Sequence, residues 1–183
     1  MMITLRSVLT ILLLMSFGMA SADLPRDPAR YFFEETLGDL QFDLNDAKSK
    51  GKTVVIFFEQ DECPFCHRMK STILNQVEVQ EYYKKRFLVL NIDIESDEEL
   101  VDFQGNETTK KKYFAKIARN RGATPVFAFF DNDGNMVVRY TGASSGVDEF
   151  IWLGEYASEK HYEKMPFAKY KRIKRTDQRA SSE

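Results

Sequence analysis

Thr53-Val-Val-Ile-Phe-Phe-Glu-Gln-Asp-Glu-Cys63-Pro64-Phe65-Cys66 is the stretch that decides the fold. Residues 53–58 form a short apolar run rich in β-branched and aromatic side chains, which reads as a buried strand. The cysteine pair follows within a few residues and leads into a helical stretch. Cys63 then falls, exposed, at a helix N-terminus, where unpaired backbone N–H groups and the helix dipole stabilise a thiolate. Pro64 suits the first helical turn, where its missing N–H costs little. Cys66 lies nearly one turn further on. These are the only 2 cysteines in the chain, so no disulfide framework can staple distant loops. Residue chemistry alone leaves three readings of such a pair: a redox couple, half of a metal site, or a haem attachment.

Working outward, Leu40, Leu44 and Ala47 recur at helical spacing and Gly51 stops that helix. Asn75 with Glu78 resembles a capping box opening a helix whose inner face holds Val79, Tyr82 and Tyr83. Phe87 to Ile94 reads as a second buried strand, and Glu95 to Glu107 as an acidic surface loop or insert. Thr109 to Arg121 is helical, with Phe114, Ile117 and Ala118 inward and Gly122 at its end. Val126 to Phe130 is a strand, Asn132-Asp-Gly-Asn135 a hairpin turn, and Met136 to Tyr140 the returning strand. Val147, Phe150, Ile151, Gly154 and Ala157 mark the inner face of a last helix. Helices alternating with strands imply an α/β arrangement with a parallel part, and the hairpin adds an antiparallel part. The expected sheet is central, mixed and flanked by helices.

The chain has 183 residues, 43% hydrophobic and 30% charged, an ordinary balance for one domain. A net charge of −2 gives no basic field suited to nucleic acid. Residues 1–22 read as an export signal. Arg6 supplies the positive start, Val8 to Met19 the apolar run, and Ala20-Ser21-Ala22 the small-x-small cleavage pattern. The apolar run is shorter than the roughly 20 residues a membrane span needs. No cysteine near the cut could carry a lipid. The expected division is a signal over 1–22, a folded domain over 23–171 and a disordered tail over 172–183. The short positive start of the signal and the lack of extracellular disulfides point to a bacterial periplasm.

With these residues in view, the chain resembles the thioredoxin superfamily. The strand 53–58, the Cys63–Cys66 motif, the strand 88–94 and the hairpin carry the likeness. Thr124-Pro125 falls where that family has its cis-proline, and Gly142 at another family glycine. Phe58-Glu59-Gln60, Cys63-Pro-Phe-Cys-His-Arg-Met69 and the tail from Tyr162 to Tyr170 are similar to exported thioredoxin-related proteins of bacterial sulfur-oxidation gene sets. The resemblance implies a thioredoxin-like fold with a helical, basic C-terminal tail, and a thiol:disulfide oxidoreductase that needs no cofactor beyond its own disulfide. Cys63 would attack and Cys66 resolve. Pro64 and Phe65, with Thr124 and Pro125, would shape the groove for an extended partner. Partners would be proteins or small thiols, with a membrane-embedded thiol donor keeping a monomeric protein reduced. Oxidase or isomerase activity and a redox-silent binding module are the alternatives.

One departure stands out. Ordinary thioredoxins bury an aspartate six residues before the first cysteine and a lysine on the next strand; here those positions are Phe57 and Val89. Glu59 is the nearest substitute, since strand alternation puts it on the Phe57 face; its other reading is an acid at a strand end. Glu59, Asp61 and Glu62 also surround Cys63 with negative charge that opposes the helix dipole. His67 completes a Cys-x-x-Cys-His haem pattern, but a buried strand running into the motif does not fit a haem site. Otherwise His67 is a solvated helix residue or, when protonated, a tuner of Cys63 one turn away. Zinc needs about four ligands, and the only other histidine is His161; no metal is expected. The basic tail from Lys160 to Arg179, with Tyr162, Phe167 and Tyr170 interleaved, would fold against the body or meet a partner or membrane surface.

Overall fold

The structure is a computed structural model that describes residues 24–118 and 122–181. The expected signal at 1–22 and the end of the helix expected to reach Arg121 lie outside them. In chain order the elements are α1 (Pro28–Tyr31), α2 (Leu40–Ser49), β1 (Thr53–Glu59), α3 (Pro64–Thr72), α4 (Val77–Arg86), β2 (Phe87–Asp93), β3 (Glu99–Val101), β4 (Glu107–Thr109), α5 (Lys110–Ala118), β5 (Val126–Phe130), β6 (Met136–Thr141), α6 (Val147–Ser158), a 3-10 turn (His161–Glu163) and α7 (Phe167–Ala180).

The main sheet runs β2-β1-β5-β6. β1 and β2 are parallel, with Phe57 beside Asn91; β5 is antiparallel to both β1 and β6, with Phe127 opposite Phe57. Period-two alternation then divides the apolar strand residues between two cores. Val55, Phe57, Val89, Phe127 and Phe129 face α3, α4 and α6, together with both cysteines. Val54, Ile56, Phe58, Leu90 and Ala128 face Leu40 and Leu44 of α2 and Phe114 and Ile117 of α5. Because both faces are covered, the strands read as continuous apolar runs rather than as alternating ones.

Three local expectations change. The helix after Asn75 starts one residue later, with Gln76 at its N-cap and no side-chain cap. Asn75 instead donates to the Ser71 carbonyl and accepts from Gln76. The acidic stretch from Glu95 to Glu107 contains β3, which pairs with β4 as a ribbon. Buried Leu100 and Phe103 anchor this ribbon to the second core, and Asp102 ties its turn by accepting from the Gln104 and Asn106 backbone N–H groups.

The third change concerns residues 172–180, expected to be disordered, which complete the helix α7. Cross-helix pairing supplies the order that composition does not. Glu149 of α6 is buried, and it accepts from Tyr140 at 3.1 Å, from Ser145, from Lys171 at 2.9 Å and from Arg175 at 3.2 Å. Burial acts to raise the Glu149 pKa, but the bonds from Ser145, Lys171 and Tyr140 outweigh it and hold the carboxyl below the usual range. A depressed folded-state pKa contributes stability above the unfolded value, about 4.3, and loses it as pH falls through the folded value. Glu149→Gln is therefore expected to cost about 2 kcal/mol at neutral pH, the scale of hydrogen bonds to a charged group. It should also flatten the decline in stability below about pH 4. Urea titrations across that window check this, and identical pH profiles for both proteins would refute it.

Candidate redox site

Cys63 is the N-cap of α3, and its sulfur accepts the Cys66 backbone N–H at 3.0 Å. Its carbonyl accepts from Cys66 and His67 at 3.0 and 3.1 Å. The chain takes this path because an extended residue followed by proline opens a helix without wasting a donor. Cys63 and Cys66 are joined as a disulfide. Cys63, expected to be exposed, is only 4% exposed, and Cys66 1%. In this oxidised form the Cys63 sulfur is capped by its partner and by the first turn of the helix. Phe65, by contrast, stands outward at 55% exposure.

The Thr124–Pro125 peptide bond is cis. Val126 pairs with Phe58 in the antiparallel ladder, which carries the Thr124-Pro125 segment to the end of the sheet from which the cysteine motif leaves. Two bonds hold it there. Thr124 donates its hydroxyl hydrogen to Gln60 Oε1 at 3.2 Å, and the Pro125 carbonyl accepts from the Gly142 N–H at 2.8 Å. Gly142 has φ of +94°, in the left-handed region glycine tolerates.

Phe57 and Val89 are buried and apolar, so the sheet face beside Cys66 offers no charge at those positions. Glu59, one step further along that face, does not stand free at the strand end. Its carboxylate pairs with Lys70 of α3 at 2.5 Å and accepts from Asn91 Nδ2 at 2.7 Å. The Asn91 Oδ1 is buried and meets no hydrogen-bond partner among the described residues. Lys70, Asn91 and Gln60 are neighbours that the sequence reading missed. Spacing could have found two of them: Lys70 is four residues beyond Cys66 on one helix face, and Asn91 is two beyond Val89 on one strand face. His67 lies exposed on α3, with its Nε2 3.0 Å from the Asp61 carbonyl, so its ring is tied to the loop that precedes Cys63. Met69, a turn beyond Cys66, is held by the Ser144 N–H, which donates to its sulfur at 3.3 Å.

Among the described residues, one trio of groups could hold a metal ion: Glu155, Glu159 and His161. It involves neither cysteine, and Lys174 already pairs with Glu155 at 2.9 Å. No helix among the described residues is long and apolar enough to cross a membrane.

A family profile described as a thioredoxin-like domain matches residues 40–158. Among solved structures, a thioredoxin-fold protein from Helicobacter pylori superposes with a TM-score of 0.56 at 20% identity, over 69% of this chain and 86% of its own. A DsbH oxidoreductase superposes with a TM-score of 0.54 at 17% identity, over 75% of this chain and 92% of its own. At these identities the likeness is one of fold. Comparison with curated proteins found no match.

Proposed function

Since the chain belongs to the thioredoxin-like domain family, we propose that it is a thiol–disulfide oxidoreductase that works in the reducing direction on disulfides of proteins or small thiols. The observation that carries this is the Cys63–Cys66 disulfide at the start of α3, at the end of the sheet that also holds Thr124-Pro125. In the reduced protein the Cys63 thiolate, favoured by the α3 N-terminus, attacks one sulfur of a partner disulfide. A Cys63–partner bond forms, the partner's bond breaks, and its second sulfur leaves as a thiolate that takes a proton from solvent. Cys66 then loses its proton and attacks Cys63, which restores the internal disulfide and releases the partner's first sulfur as a second thiolate. Two electrons pass from the dithiol to the partner, and an external dithiol must return them.

Pro64, Phe65, Thr124 and Pro125 would receive the partner chain. Exposed Phe65 offers it an apolar contact, and Pro125, lacking an N–H, leaves the close approach unobstructed. Glu59 and His67 would tune the pair, Glu59 through Lys70 of the same helix and His67 through the loop before Cys63. We place this activity in the periplasm, with a membrane-embedded thiol donor, on the strength of the leader-like N-terminus.

Two measurements test the reading. The protein should accelerate insulin reduction by dithiothreitol. Its potential against glutathione should fall near or below about −200 mV, the reducing side of this chemistry. A potential near −120 mV, the range of a strong oxidant, would overturn the direction. Absence of exchange with either insulin or glutathione would overturn the activity.

A further inference from the structure

The charge of α7 is sorted by face. The helix carries six lysines and arginines against one acid, Asp177, for a net +5, while the whole chain is −2. Everything outside the helix therefore sums to −7.

The inner face is neutralised. Lys171 and Arg175 meet Glu149, Lys174 meets Glu155, and Gln178 donates to Asp148 at 2.8 Å. Tyr170 is buried and stacks on His161. The opposite face holds Lys169, Arg172, Ile173 and Thr176, at the i, i+3, i+4, i+7 spacing of one helical stripe, and all four are exposed. Among the described residues, neither Lys169 nor Arg172 has an ion-pair or hydrogen-bond partner for its side chain. Lys164, just before the helix, is also exposed. Ile173 sits between the cations at 40% exposure.

We infer that this outward stripe of α7 docks on anionic lipid headgroups. Free cations held at a fixed surface gain from the negative potential of such a bilayer within a Debye length. An isoleucine among them suits the boundary between headgroups and acyl chains. The remaining −7 is repelled by the same bilayer, so contact is confined to the helix. The Glu149 clamp keeps the inner cations engaged and presents the outer stripe side-on. Docking of this kind is peripheral, and it does not depend on the redox reading.

The full chain should be sedimented with phosphatidylcholine vesicles, with and without about one third phosphatidylglycerol, at about 20 mM and about 0.3 M salt. At low salt, binding to the anionic vesicles should exceed binding to the neutral ones by at least about tenfold, and the excess should vanish at high salt. The neutral vesicles subtract any contribution from the apolar stretch 8–19. Lys169→Glu with Arg172→Glu should abolish the excess. Ile173→Ser should lower it severalfold at unchanged charge. Neither change touches an intramolecular bond, and circular dichroism checks the fold. No excess at low salt, or an excess that survives the charge reversal, overturns the proposal. Capture by polyglutamate with no vesicle binding overturns it in favour of an acidic protein partner.

Discussion

Cys66→Ala is expected to convert the protein into a trap, with partners accumulating as covalent adducts visible on non-reducing gels and lost on reduction. Position sets the order of events. Cys63 is the N-cap of α3, while Cys66 lies a turn inside and more deeply buried, so it meets only a sulfur already held by Cys63. An internal thiol acts at an effective concentration far above any external one, so turnover should drop by at least about a hundredfold when it is removed. Cys63→Ala should lose turnover as fully and trap far fewer partners. Mass spectrometry of the adducts names the substrates. Trapping by Cys63→Ala and not by Cys66→Ala would reverse the two roles. Full insulin reduction by both variants would end the dithiol mechanism.

Tyr83→Ala should cost about 3–5 kcal/mol, the range for truncating a large aromatic side chain in a packed core. Tyr83 of α4 is fully buried and stacks on Phe150 of α6, with ring centroids 4.5 Å apart and planes within 7°. Its ring also packs beside Phe32, Phe87 and Phe129, and its hydroxyl donates to the Phe150 carbonyl at 2.7 Å. Burial pushes its phenol pKa well above the ordinary value, so it remains a neutral donor. Gly154 leaves room for the ring: a Cβ there would lie 3.1 Å from it, closer than ordinary van der Waals contact. The same core contains Cys63, Cys66 and Phe57, so the substitution removes support beneath the redox helix. Urea denaturation should show the full loss, and the melting temperature should fall by roughly 10 °C. Tyr83→Phe keeps the ring and should cost only about 1 kcal/mol. A loss under about 1 kcal/mol for the alanine variant would mean that this aromatic cluster does not hold α4 to α6.

Much of the fold was legible because its signals are local. A strand covered on both sides reads as the apolar runs 53–58 and 126–130, and Asn132-Asp-Gly-Asn135 marks its turn without help from the rest of the chain. Where the reading failed, a residue had met a partner other than the one its spacing suggests, either at the end of the preceding helix or in the core. Asn75 looked like a cap, but its side chain is taken by Ser71 and Gln76. The stretch 95–107 looked like loop because β3 and β4 have three residues each and gain their order from Leu100 and Phe103 in the core.

By itself the sequence determined the α/β class with its mixed sheet, the motif between strand and helix, and the apolar identity of Phe57 and Val89. Each depends on residue type at a spacing set by backbone geometry, two for strands and about 3.6 for helices. Only the tertiary structure decided that Glu59 pairs with Lys70 and Asn91, that Gln60 reaches Thr124, and that residues 172–180 lie ordered against Glu149. Those contacts join residues from different elements. They depend on how α3 crosses the sheet and how α7 lies along α6, and no periodicity within one segment encodes such a crossing. A basic, apolar-poor stretch has little to bury, so it reads as disordered until the buried carboxylate that organises it is seen.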